Sequence, residues 1–157
     1  QAAAALMAKF KGATAGLVIA AYGVFRLIFA ALNVGFGGVA GFVRPVIMQM
    51  AQAAVEEDGQ PIAEEQLEQI KGMAAGMENV TWFFGQVLFV GGSGGLLVQS
   101  TLANLGYNIE LIDIAATEVP IAVIATLVAI VYYQIIDKKL MRKYHSGAAA
   151  SAKAGEK

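Results

Sequence analysis

Two arginines interrupt a long uncharged stretch: between Gly12 and Val55 the sequence carries no charge other than Arg26 and Arg44. An ionisable group in such a stretch is expensive and functional by default. Arg44 adjoins a glycine-rich run, where a guanidinium can hold a carboxylate through two parallel hydrogen bonds. Anion binding is the chemistry expected of it, with a structural pairing or an interfacial position as the alternative. Arg26 is expected to pair with Glu118 or to line a subunit contact. Asn33, Gly37 and Gly38 belong to the run beside Arg44. A second run, Gly91-Gly92-Ser93-Gly94-Gly95, follows Glu78, Asn79 and Gln86. Half-helix ends at such breaks point at anionic groups, and freed carbonyls coordinate a coupling ion. The expected substrate contacts are therefore Asn33, Gly37, Gly38, Arg44, Asn79, Gln86 and Ser93. The expected coupling-ion contacts are Gly91, Gly92, Gly94 and Glu78, for Na+ or H+.

Other chemistries lose their residues. There is no cysteine, and His145 is the one histidine, so thiolate sites and histidine-based zinc sites or catalysis are not expected. No metal, cofactor or enzyme activity is anticipated. Gly35-Phe36-Gly37-Gly38-Val39-Ala40 matches a dinucleotide fingerprint, but an apolar helix precedes it instead of a strand. Gly92-Ser93-Gly94 has no histidine in any apolar segment to activate its serine. A formal charge of −1 with no basic stripe argues against nucleic acid.

The elements that would position these groups read as membrane-embedded. Of 157 residues, 57% are hydrophobic and 15% charged, against roughly 45–50% and 25% in soluble domains; mean hydropathy is +0.61. Two continuous spans are expected, Ala13–Leu32 and Ile114–Ile136, each near the ~20 residues that cross a bilayer. The first is expected to unwind near Asn33 and resume at Pro45, a favourable first-turn residue. Residues 56–78 hold seven acids and Lys71; Ala63, Leu67, Ile70, Ala74 and Met77 recur at helical spacing, which predicts an amphipathic surface helix opened by Pro61. Asn79–Leu105 is uncharged but glycine-broken, so it either crosses as one poor helix or dips in and returns. The fold expected is thus all-α and integral to the membrane, with two spans, two broken or re-entrant segments and one surface helix. Residues 1–145 are taken as a single membrane domain and 146–157 as a disordered tail. The opening at Gln1, in an Ala-rich helix end, suggests the C-terminal part of a longer subunit. Lys138, Lys139, Arg142 and Lys143 after the last span favour a cytoplasmic C-terminus, and Lys9 and Lys11 favour the same side for the start of the first.

Lys9–Lys143 resembles the smaller of two membrane subunits of bacterial 5-oxoproline (pyroglutamate) permeases, a domain-of-unknown-function family similar to ion transporters with paired re-entrant hairpins. The resemblance rests on Leu32–Gly38, Val43-Arg44-Pro45-Val46-Ile47, Ile70-Lys71-Gly72-Met73-Ala74-Ala75, Phe83-Phe84-Gly85, Leu96-Leu97-Val98-Gln99 and Gly106-Tyr107. This chain has Gln86-Val87 after Phe-Phe-Gly where many members carry an acidic pair, which puts a coupling role there in doubt. The resemblance implies a larger partner subunit, the bacterial inner membrane, and a carboxylate substrate such as 5-oxoproline. The expected function is a subunit of a cation-coupled secondary transporter for a small carboxylate. The alternative is a non-transporting scaffold that assembles with a larger permease.

Overall fold

The computed structural model describes residues 13–56, 59 and 61–145. The readings made on Gln1–Phe10, on Lys9 and Lys11, and on residues 146–157 lie outside them. Five helices follow in order: α1 Ala15–Ala31, α2 Val39–Val55, α3 Glu64–Gln86, α4 Ser93–Asn104 and α5 Leu111–Tyr144.

Local chemistry sets most of the boundaries. Thr14 caps α1, its side chain accepting from the Leu17 N–H at 3.3 Å. The helix ends at Asn33 in the left-handed region (φ 58). There the Asn33 N–H donates to Ala30 and the Val34 N–H to Phe29, the paired bonds of a Schellman stop with Asn in place of Gly. Glu64 and Glu65 sit in the first turn of α3, at the positive end of its dipole. Gly106, at φ 88, ends α4 in the same way as Asn33 ends α1.

Three helices make the core. α1 and α3 run parallel, with Gly23 against Met77 and Gly85 against Ala30. α5 is antiparallel to both: Gly16 of α1 meets Asp137, Gly76 of α3 meets Tyr133, and Glu65 binds Lys143 at 3.0 Å and Tyr144 at 2.5 Å. The Tyr144 hydroxyl, and then Lys143, hold the Glu65 carboxyl below its ordinary range. α2 closes the bundle with Val43, Ile47, Ala51 and Val55 buried.

The structure redraws several sequence boundaries. Helix resumes at Val39, six residues before Pro45, and Val39–Ile47 is π-helical with Pro45 inside it. Proline would delete a bond and press on the preceding carbonyl in an α-helix; the wider i→i+5 turn accommodates it. The acidic segment is not a surface helix ending at Glu78. It continues unbroken to Gln86, and its face of Gln66, Ile70, Met73, Ala74, Met77, Glu78 and Thr81 is buried. The acids at 64, 65 and 68 hydrate only its first two turns. Helix α3 begins at Glu64, behind an Ala63 cap, and not at Pro61. The second glycine run is irregular only at Gly91 and Gly92; Ser93-Gly94-Gly95 open α4.

Among the described residues one helix, α5, is long and apolar enough to cross a membrane. The segment expected as a first span forms a 17-residue helix, because Thr14 and Asn33 fix its ends. The apolar window of α5 is only 22% buried. Val119, Ile121, Ile124, Leu127, Val128 and Val131 face outward on it, unlike the core helix of a soluble domain. An exposed apolar face of this length calls for lipid or another protein.

Close helix contact at glycine is testable at Gly76, where an added Cβ would overlap the Tyr133 hydroxyl. Gly76→Ala should destabilise the detergent-solubilised chain by about 1–3 kcal/mol, and Tyr133→Phe should recover part of that loss. A neutral Gly76→Ala in thermal unfolding would mean that the α3–α5 contact is looser than the structure shows.

Candidate functional site

Tyr22 and Arg26 are four residues apart on α1, and Glu78 and Trp82 four apart on α3, so each pair shares a helix face. The two faces meet. Arg26 and Glu78 are 2% and 3% exposed, and the Arg26 Nε donates to Glu78 Oε2 at 2.8 Å. The Tyr22 hydroxyl donates to the same oxygen. The Arg26 Nη1 donates to the Val34 carbonyl at 3.2 Å, in the break between α1 and α2. The guanidinium carbon lies 4.3 Å from the Trp82 ring centroid and 5.5 Å from that of Phe36, a cation–π arrangement in a dry setting. One side chain thus ties α1 to α3 and to the chain break. The Arg26 partner is Glu78, not the expected Glu118, because α3 packs directly on α1 while Glu118 lies in the first turns of α5. Gly38, at φ 63, brings backbone to within about a side-chain carbon of Glu78 Oε1; a Cβ there would stand 4.0 Å from it.

At the same end of the bundle the two chain breaks form a cleft of ≈ 450 Å³, lined by Asn33, Gln86, Phe89 and Gly91–Gly95. Helix α4 points its N-terminus into it. Its cap, Gly92, offers no side-chain acceptor, and the first intrahelical bond is from Leu96 to Gly92. The N–H groups of Ser93, Gly94 and Gly95 are therefore left to an outside acceptor. An uncapped helix N-terminus binds anions through these donors and its dipole. The lining is neutral: two carboxamides, one hydroxyl and backbone beside the apolar Val87 and Phe89. Such a wall suits a small anion with further polar groups, held by hydrogen bonds and not by a counter-charge.

A family model described as Protein of unknown function (DUF969) matches residues 1–141. The chain belongs to that family. No curated protein and no solved structure matches it.

In this DUF969 chain the residues singled out from sequence fall in four places. Asn33, Gln86, Gly91, Gly92, Ser93 and Gly94 share the cleft. Glu78 and Gly38 meet at the buried ion pair, and Gly37 (φ 77) turns the chain tightly against Gly41 beside them. Arg44 lies elsewhere, in a separate cleft between α2 and α3 with Gln49, Gln52, Glu68 and Lys71. Asn79 is exposed and lines neither cleft. Tyr22, Trp82 and Phe89 escaped the sequence reading; the four-residue spacing of Tyr22 to Arg26 and of Glu78 to Trp82 was the available signal.

Removing one half of the ion pair strands the other. Arg26→Ala should cost about 3–5 kcal/mol, by leaving the Glu78 carboxylate buried without its partner. Arg26→Met combined with Glu78→Met should regain most of that in thermal unfolding, since well-packed apolar residues often replace a buried pair without loss. Equal stability of Arg26→Ala and wild type would show that the pair is not what fixes α1 on α3.

Proposed function

We propose that this chain is a membrane subunit of a cation-coupled secondary transporter for a small carboxylate, and that the cleft between the two chain breaks is its substrate site. The observation that carries the reading is the meeting of Asn33 and Gln86 with the uncapped N-terminus of α4. Broken helices that converge on one site are the way many secondary transporters hold substrate and ion. Substrate carboxylate is received by the first-turn N–H groups of α4 and the Ser93 hydroxyl. The Asn33 and Gln86 carboxamides each offer a donor and an acceptor, which complements a lactam. 5-Oxoproline, toward which the sequence resemblance points, carries both a carboxylate and a lactam. The coupling cation, Na+ or H+, acts at one of two separate places, the carbonyls freed around Gly91 and Gly92 in the cleft or the buried Glu78 carboxylate two turns from Gln86. Arg26 transmits its arrival, because the same guanidinium holds Glu78 and the Val34 carbonyl beside Asn33.

The outward apolar face of α5 supports a place in the bilayer, and Lys138, Lys139, Arg142 and Lys143 support a cytoplasmic C-terminus in a bacterial inner membrane. Helix α4 has no buried residue, with Leu96, Leu97 and Val98 exposed. That supports a larger permease subunit packed over it, and it equally favours the second reading, a scaffold that binds a transporting partner without touching substrate.

Ser93→Pro separates the two readings. Proline is well suited to the first helical position, and Gly92 already has the extended backbone (ψ 147) that a following proline requires. The variant keeps α4 while deleting one donor N–H and the hydroxyl; Ser93→Ala deletes the hydroxyl alone. With the chain and its larger partner reconstituted in liposomes, uptake of labelled 5-oxoproline should fall about tenfold or more in Ser93→Pro and less in Ser93→Ala. Wild-type uptake in Ser93→Pro, with loss on placing a charge at Leu97, would favour the scaffold.

A further inference from the structure

The second cleft, of ≈ 700 Å³ between α2 and α3, has no part in the transport site. Its lining changes character along its length. α2 and α3 run antiparallel here, since Gly38 before α2 lies beside Glu78 and a short connection joins Val55 to Glu64. Toward the start of α3 the walls carry Gln52, Gln49, Glu68, Lys71 and Arg44 among the apolar Leu67 and Met48; toward its middle they are Val43, Val39 and Ala75. Lys71 is already engaged by Glu68 at 2.6 Å. Arg44 is exposed and has no hydrogen-bond or ion-pair partner among the described residues. Gly72 leaves the space between open, for a Cβ there would meet nothing within 4 Å.

The polar mouth also has a definite level in the bundle. Lys71 is six residues beyond Glu65, about 9 Å along the axis, and Glu65 is bound to Lys143. Arg44 and Lys71 therefore share the end of the molecule that carries Lys138, Lys139, Arg142 and Lys143. Basic pockets between helices at the cytoplasmic face are where anionic lipid headgroups dock.

We propose that this cleft is a binding site for the phosphate of an anionic membrane lipid. Arg44 grips the phosphate oxygens with its planar fork, Lys71 is shared between the phosphate and the Glu68 carboxylate, and Gln49 and Gln52 are placed for the rest of the headgroup. The acyl chains follow the apolar walls toward Val39 and Ala75. The proposal rests on the membrane placement argued above, but not on transport.

The test uses the full chain in nanodiscs of phosphatidylcholine doped with phosphatidylglycerol, with lipid retained after detergent washing measured by native mass spectrometry. Wild type should retain phosphatidylglycerol selectively. Arg44→Gln should weaken retention roughly tenfold or more, as expected for a lost charge-assisted pair, and Arg44→Lys should recover it only in part. Lys138→Gln, an exposed charge outside the cleft, should change it by no more than about fivefold. Equal effects of Arg44→Gln and Lys138→Gln would overturn the site in favour of diffuse surface attraction. Displacement by millimolar inorganic phosphate, or by 5-oxoproline, would overturn the lipid as occupant and assign the cleft to a soluble anion. Alkaline extraction of the same membranes keeps the two failures apart. Release of the wild-type chain would overturn the membrane placement itself, whereas a chain that stays inserted and holds no lipid overturns this proposal alone.

Discussion

A buried guanidinium has to be satisfied on every side, and the bundle is arranged around that demand. Arg26 spends its Nε on Glu78, its Nη1 on the Val34 carbonyl and its flat face on Trp82. Glu78 and Trp82 stand one turn apart on α3, and Val34 lies in the break beyond α1. Satisfying all of them fixes the spacing of α1 and α3 and draws the chain after Asn33 back across the end of α1. A buried pair of this kind adds little stability over an apolar substitute. What it supplies is registry: a slip of α3 by one turn would strand both charges.

Registry within the frame leaves freedom at its rim. The four glycines at which helices touch, Gly16, Gly23, Gly76 and Gly85, let backbones approach closely and hold the three long helices together as a frame. The parts that line the neutral cleft begin where these contacts stop, one residue past Gly85 of α3 and three past Ala30 of α1. They are the ends of α1 and α3 and the start of α4, a helix whose main packing among the described residues is on α5. A rigid frame with a loosely held rim is the mechanical arrangement in which a small ligand can change the rim without disturbing the frame.

The sequence made the breaks legible because their chemistry is local. Asn33 stops a helix by its own backbone preference, and glycine at 91 and 92 does the same. The apolar length of α5 and the basic residues at its end were equally plain. What could not be read was every feature that depends on a distant partner. Glu78 is one acid among seven in its segment and looks as hydrated as the rest; only the approach of Arg26, 52 residues earlier, makes its burial tolerable. For the same reason Arg26 was matched to the wrong carboxylate. Arg44 and Ser93 were grouped because both adjoin glycine runs, yet α2 folds back along α3 and carries Arg44 away from the cleft. The π-helical turn around Pro45 left one trace, a strict four-residue recurrence from Val39 to Val55, which is longer than the α-helical period.

That turn does more than house a proline. In an α-helix every fourth residue oversteps a full revolution by about 40°; in the wider π turn it falls short of one. Along α2 the core side chains recur every fourth residue: Val39, Val43, Ile47, Ala51, Val55. The first half winds the stripe one way and the second half winds it back, so its two ends, Val39 and Val55, come back into phase on the side packed against the core. Were the whole segment α-helical, Val39 would stand about 160° from Val55 after four such steps. The odd geometry at Pro45 therefore acts as a phase correction, and it is the reason that one flank of α2 can present Arg44, Gln49 and Gln52 to a cleft while the adjoining flank stays in the core.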